Sequence, residues 1–132
     1  MEKQLTILLI DDDEINNFLS RELFSLSCPE AVIVSLLHVI DGLALVSKNI
    51  HSNLKMPDII LLDINMPVMS GWDFVEEFEK FDKHFTDQIN LYIYSSSVYF
   101  EDINKAKSYS SVKDIFTKPL TQMMINEICI IR

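Results

Sequence analysis

Residues 57–71 read PDIILLDINMPVMSG, and this stretch decides the fold. Four apolar residues, Ile59 to Leu62, run without the polar alternation of a half-exposed strand. That is the pattern of a strand covered on both faces, as in a parallel sheet flanked by helices. Pro57 and Pro67 bound it, so the strand spans Asp58 to Ile64. Ser70-Gly71 then opens a helix whose apolar face is Phe74, Val75, Phe78 and Phe81.

The same unit repeats on either side. Thr6 to Ile10 (TILLI) is a first strand. A helical stretch follows, with Ile15, Phe18, Leu19, Leu23 and Leu26 on its apolar face and Asn16, Asn17, Arg21 and Glu22 turned away; Cys28-Pro29 closes it. A second strand lies within Ala31 to Val39, and Asp41 caps a helix through about Asn49. Ile89 to Tyr94 is a fourth strand, followed by a short amphipathic stretch from Phe100 to Ser108. Val112 to Phe116 is a fifth, and a last helix starts near Thr121. Five strand-helix pairs make a doubly wound α/β domain. No linker or repeat interrupts it, so residues 1–132 are read as one domain with no output domain.

Bulk properties narrow the function. The formal charge of -9 argues against a nucleic-acid surface, which needs clustered Lys and Arg. No apolar run approaches the ~18 residues of a membrane helix, and the N-terminus lacks the shape of a signal peptide, so a cytoplasmic location is expected. Cys28 and Cys129 have neither C-x-x-C nor metal-ligand spacing, and are read as reduced.

In an open parallel sheet, ligands bind beyond the carboxyl ends of the strands. Strand one ends in Asp11-Asp12-Asp13, strand three in Asp63-Ile64-Asn65, strand four in Ser95-Ser96, and strand five leads to Lys118-Pro119. At ~4 Å and an effective dielectric of ~20, each pair of like charges costs on the order of 4 kcal/mol, so such a rim calls for a cation. Oxygen donors without His or Cys nearby select Mg2+, with Mn2+ possible, over zinc. An aspartate there can attack phosphorus and form an acyl phosphate, with an ammonium and a hydroxyl around the phosphoryl oxygens.

The ordered set of Ile10-Asp11-Asp12, residues 57–67 with Gly71, and Lys118-Pro119 resembles the receiver domains of bacterial two-component response regulators, from Gln4 to Ile130. The resemblance implies a flavodoxin-like five-stranded sheet of order 2-1-3-4-5 with five helices. It implies Asp63 as phosphoacceptor, with Ser95 and Lys118 meeting the phosphoryl group. The metal would be held by Asp11, Asp12, Asp63 and the Asn65 backbone carbonyl, with Asp12 a more direct ligand than Asp11. A cis Lys118-Pro119 bond is also implied. Asp13, the extra acid, is read as exposed near the start of the first helix.

The implied function is a stand-alone response regulator that assists its own phosphorylation but is not otherwise an enzyme. Its donor would be a sensor histidine kinase or histidine phosphotransfer protein. Its output would be protein docking, through the fourth and fifth helices, or a phosphorelay; the downstream target is unknown. The chain departs from the family at Ile115, where a Tyr or Phe is common, with Phe116 on the oppositely facing site. Output movement is then smaller, or carried by the backbone between Ser95 and the fourth helix.

Rival readings fit less well. A flavodoxin-type cofactor binder needs a hydroxyl- and glycine-rich loop where this chain has three aspartates. An aspartyl phosphatase with Asp-x-Asp after strand one needs room for a cap. A receiver fold used purely for protein binding, without phosphorylation, would be marked by loss of the acceptor or the lysine, and both are present.

Overall fold

The computed structural model describes residues 4–130; the ends of the expected 1–132 domain lie outside the described residues. Five parallel strands are ordered β2-β1-β3-β4-β5, as expected. They are β1 (Thr6–Ile10), β2 (Val32–Leu36), β3 (Ile59–Asp63), β4 (Asn90–Ser95) and β5 (Val112–Thr117). The helices are α1 (Glu14–Ser27), α2 (Val39–His51), α3 (Gly71–Phe78), α4 (Lys83–Thr86), α5 (Phe100–Lys107) and α6 (Gln122–Ile130). None is long and apolar enough to cross a membrane.

All five residues of β3 are buried, which explains the unbroken apolar run. Alternate side chains feed two cores. Leu8, Ile10, Ile60, Leu62 and Ile93 meet Phe74 and Phe78 on one face of the sheet. On the other, Ile7, Leu9, Leu61, Tyr92 and Phe116 meet Phe24, Ile125 and Ile128. Each buried aliphatic or aromatic side chain contributes about 1.5–3 kcal/mol, so the two layers fix the sheet between its helices.

Four expectations need correction. Most of the apolar face assigned to α1 points outward: Ile15 is 74% exposed, Phe18 60%, Leu19 50% and Leu26 75%, while Leu23 packs against the core. Asn17, Ser20 and Phe24 are buried instead. Asp13 sets the helix phase by accepting from the N–H groups of Ile15 and Asn16, and Asn17 Nδ2 donates to the Asp11 carbonyl at 2.9 Å. A polar residue therefore faces inward because a strand-end carbonyl awaits it. Asp41 is not a cap, since α2 begins at Val39 and Asp41 lies in its first turn, where negative charge still suits the helix dipole. The one-turn α4 makes six helices among the described residues where five were expected; Asp82 caps it by accepting from His84 N–H.

Finally, the cysteines read as reduced are paired. Cys28, at the C-cap of α1, and Cys129, in α6, have Cα atoms 7.0 Å apart. These helices pack together on one face of the sheet, which brings positions 101 residues apart into contact.

The α3 start holds the loop after β3 in place. Ser70 and Asp73 form a reciprocal capping box, and Gly71 N–H donates to the Ile64 carbonyl at 3.2 Å. A Cβ on Gly71 would lie 2.5 Å from the Asp63 carbonyl oxygen and 2.6 Å from Ile64 Cα. Backbone cannot yield as a flexible side chain can. Gly71→Ala is expected to destabilise the domain by about 1–3 kcal/mol, read from urea denaturation midpoints. An unchanged midpoint would show that the loop relaxes freely.

Candidate phosphoacceptor and metal site

The register of β1 against β3 places Ile10 beside Leu62, so the next residues, Asp11 and Asp63, emerge side by side. Both are buried, whereas Asp12 is exposed. Carboxylate oxygens of Asp11, Asp12 and Asp63 all lie within 4.8 Å of one another. They are hard donors at a spacing that a divalent cation can bridge, and the cluster is able to coordinate one.

Lys118 arrives from the end of β5. Its Nζ is 2.8 Å from Asp11 Oδ2 and 3.3 Å from Asp63 Oδ2. The Lys118-Pro119 peptide is cis. Lys118 N–H also donates to the Ser95 carbonyl at 2.8 Å, which ties the ends of β4 and β5. The Ser95 hydroxyl accepts from Ser97 N–H at 3.2 Å and from Asn65 Nδ2 at 2.5 Å. Asn65 N–H donates to Asp63 Oδ1 at 3.1 Å. The Asn65 side chain thus joins the ends of β3 and β4, a part that the sequence reading, which used its backbone carbonyl, did not assign.

Asp13, as expected, is exposed at the N-cap of α1, and its N–H donates to Asp11 Oδ1 at 3.0 Å. Ile115 and Phe116 face opposite cores as read; the Phe116 ring packs on Tyr92 at 5.7 Å between centroids. Two residues were missed by sequence reasoning. Tyr94 O–H donates to Asp11 Oδ2 at 2.6 Å, and Asn16 Nδ2 approaches both that oxygen (2.9 Å) and the Tyr94 hydroxyl (2.7 Å). One signal was available: Tyr94 is the last residue before Ser95 in β4, and a buried tyrosine needs a partner for its hydroxyl.

The charges are unequal. Burial pushes the Asp63 carboxyl up to about 6, helped by the Asp11 charge and opposed by Asn65 N–H and Lys118. Asp11 is buried too, but hydrogen bonds from Lys118, Tyr94 and Asp13 outweigh that and hold it below the usual carboxylate range. Burial alone would lower Lys118, yet Asp11 and Asp63 raise it, so it stays protonated. One ammonium serves two buried carboxylates, and Asp63 is the one left short.

A receiver-domain family model, described as the response regulator receiver domain, matches residues 7–129. Among solved structures, a two-component response regulator from Cytophaga hutchinsonii is 28% identical, with a TM-score of 0.88 over 97% of this chain and 96% of its own. One from Legionella pneumophila is 25% identical, with a TM-score of 0.82 over 97% of both. A receiver protein from Dyadobacter fermentans, 22% identical, shares the fold with a TM-score of 0.81 over 93% of both. A comparison with curated proteins returns no match.

The raised carboxyl has a consequence for stability without metal. An aspartate titrating near 4 when unfolded and near 6 when folded stabilises the fold while protonated, and that contribution is lost as pH rises through 4 to 6. The loss is on the order of 3 kcal/mol, because Asp63 is almost fully buried. Asp63→Asn mimics the protonated form. Its thermal midpoint in EDTA is therefore expected to match wild type near pH 4 and exceed it by pH 7. A gap independent of pH would contradict this electrostatic assignment.

Proposed function

The chain belongs to the response regulator receiver family, and on that premise we propose that Asp63 is its phosphoacceptor in a Mg2+-dependent reaction. The observation that carries this is a buried, undercompensated carboxylate beside a shared lysine and a second acid, at the carboxyl edge of the sheet. As a receiver domain the chain is a phosphoacceptor, not an enzyme acting on a separate substrate. The donor is a phosphohistidine, on a sensor histidine kinase or a histidine phosphotransfer protein. An Asp63 oxygen attacks phosphorus, the bond from phosphorus to the donor nitrogen breaks, and the histidine leaves with a proton from solvent.

The residues divide the work. Asp12 and Asp63 carboxylates and the Asn65 carbonyl would hold Mg2+, or Mn2+, with Asp11 beside them. A bound divalent cation supplies positive charge that lets one anion approach another. Lys118 neutralises the transferred group, and the Ser95 hydroxyl, which only accepts from Asn65 and Ser97, has its own proton to donate to it. The exposed apolar residues Ile15, Phe18 and Leu19 follow directly after the acids and offer a surface against which a donor protein can seat. Residues 1–132 act as one cytoplasmic receiver unit, signalling by docking through α5 and α6 or by passing the phosphoryl group on.

Incubation with acetyl phosphate tests this directly, because acetate replaces histidine as the leaving group. Intact mass is expected to rise by one phosphoryl group with Mg2+, and to stay unchanged in EDTA or in Asp63→Asn. Uptake by Asp63→Asn would move the acceptor elsewhere. Lys118→Ala is expected to slow uptake by about 100-fold or more while retaining Mg2+ binding, since it removes the ammonium and none of the metal's donors.

A further inference from the structure

We propose, building on the receiver reading of Asp63, that Tyr94 is a positioning residue that keeps the Asp11 carboxylate out of direct metal coordination and seats the Lys118 ammonium between Asp11 and Asp63. Four donors surround Asp11. Lys118 Nζ, Tyr94 O–H and Asn16 Nδ2 reach Oδ2 at 2.8, 2.6 and 2.9 Å, and Asp13 N–H reaches Oδ1 at 3.0 Å. Three of the four fall on Oδ2, which offers only about two lone-pair sites, so that oxygen has none to spare. Asp12, one residue on and exposed, has no such set of donors. Two adjacent acids of identical chemistry are thereby given different tasks.

The directions of these bonds are fixed. Asn16 Nδ2 lies within hydrogen-bond distance of both Asp11 Oδ2 and the Tyr94 oxygen, and a carboxylate can only accept. The phenol must therefore spend its own proton on Asp11. Tyr94 is fully buried, so its hydroxyl has no water to turn to. Its ring serves separately: Lys118 Nζ lies 4.7 Å from the ring centroid, within range of a cation–π contact. The lysine thus rests on an aromatic face with a carboxylate on either side, ready to follow whichever anion gains charge.

Phenylalanine at this position keeps the ring and removes the O–H. Asp11 Oδ2 then loses its shortest donor, and the carboxylate is freer to turn and bind the cation directly, taking the place of a water or of the phosphoryl oxygen that must later occupy it. Y94F is accordingly expected to bind Mn2+ about threefold to tenfold more tightly, since ligand charge count sets affinity. It is also expected to take phosphoryl from acetyl phosphate about tenfold more slowly. Paramagnetic resonance in 17O-enriched water is expected to count one fewer inner-sphere water on Mn2+ in Y94F than in wild type. Asn16→Ala, which removes one donor from Asp11 Oδ2 and the bond to the phenol oxygen but keeps the tyrosine O–H, is expected to move all three readings the same way by less.

Tighter binding with slower transfer is the signature, because a purely structural tyrosine would weaken both and lower the thermal midpoint. That joint weakening overturns the proposal, as do wild-type affinity and water count in Y94F. If wild type itself takes no phosphoryl group, the receiver reading of Asp63 fails instead, while affinity and water count still judge Tyr94.

Discussion

Everything at the carboxyl edge follows from two aspartates placed side by side by the pairing of β1 with β3. Parallel neighbours in register point their side chains the same way, with strands about 4.8 Å apart. Asp11 and Asp63 therefore share a face at a distance where like charges repel strongly, and burial removes the water that would screen them. The fold tolerates this because Lys118 comes in from β5 to touch both. A single positive charge against two buried negatives leaves a deficit, enlarged by Asp12 at the rim. An edge built in this way gains from any further cation and responds to any further anion.

The strands were legible because each carries its own signature. Apolar runs closed by Asp, Ser or Pro define β1, β3 and β4, and the acids and the lysine stand where a parallel sheet must display them. Helix faces were less so. Apolar spacing from Ile15 to Leu26 marks a genuine stripe, but periodicity reports that a stripe exists and not which way it turns. In α1 the phase is set by Asp13 at the cap and by the bond from Asn17 to the Asp11 carbonyl, so an asparagine faces the sheet and all of the stripe but Leu23 faces outward. The brief α4 follows from one Asp82 side chain, too local a cause for any periodic pattern. Pairing of Cys28 with Cys129 depends on α1 lying against α6, a contact that separation in sequence conceals.

Within the site, which residues take part could be read from order and spacing, but how they divide the work could not. Asp11 and Asp12 are indistinguishable as letters. Consecutive residues leave a strand in opposite directions, and so one is buried under four donors while the other meets solvent. The donors come from α1 (Asn16), β4 (Tyr94) and the turn after β5 (Lys118), with Asp13 the only near neighbour in sequence. Asn65 shows the same limit. Its side chain reaches Ser95, 30 residues on, because β3 and β4 are adjacent in the sheet.

That adjacency also bears on how a change at Asp63 could reach the rest of the fold. Ile115 belongs to one core and Phe116 to the other, where it packs on Tyr92; no aromatic ring stands at 115 to swing into space vacated by Ser95. The connection that does exist is the hydrogen bond from Lys118 N–H to the Ser95 carbonyl, with the Ser95 hydroxyl held by Asn65 and Ser97. A new anion on Asp63 would pull on both ends of this link at once, through the Lys118 ammonium and through the Ser95 hydroxyl. Because the link is backbone, it would move the chain leading into α5 and the turn leading into α6 together. Side-chain rotation would relay the same event through packing alone, and this sequence has placed its aromatic residue on the wrong side of the sheet for that.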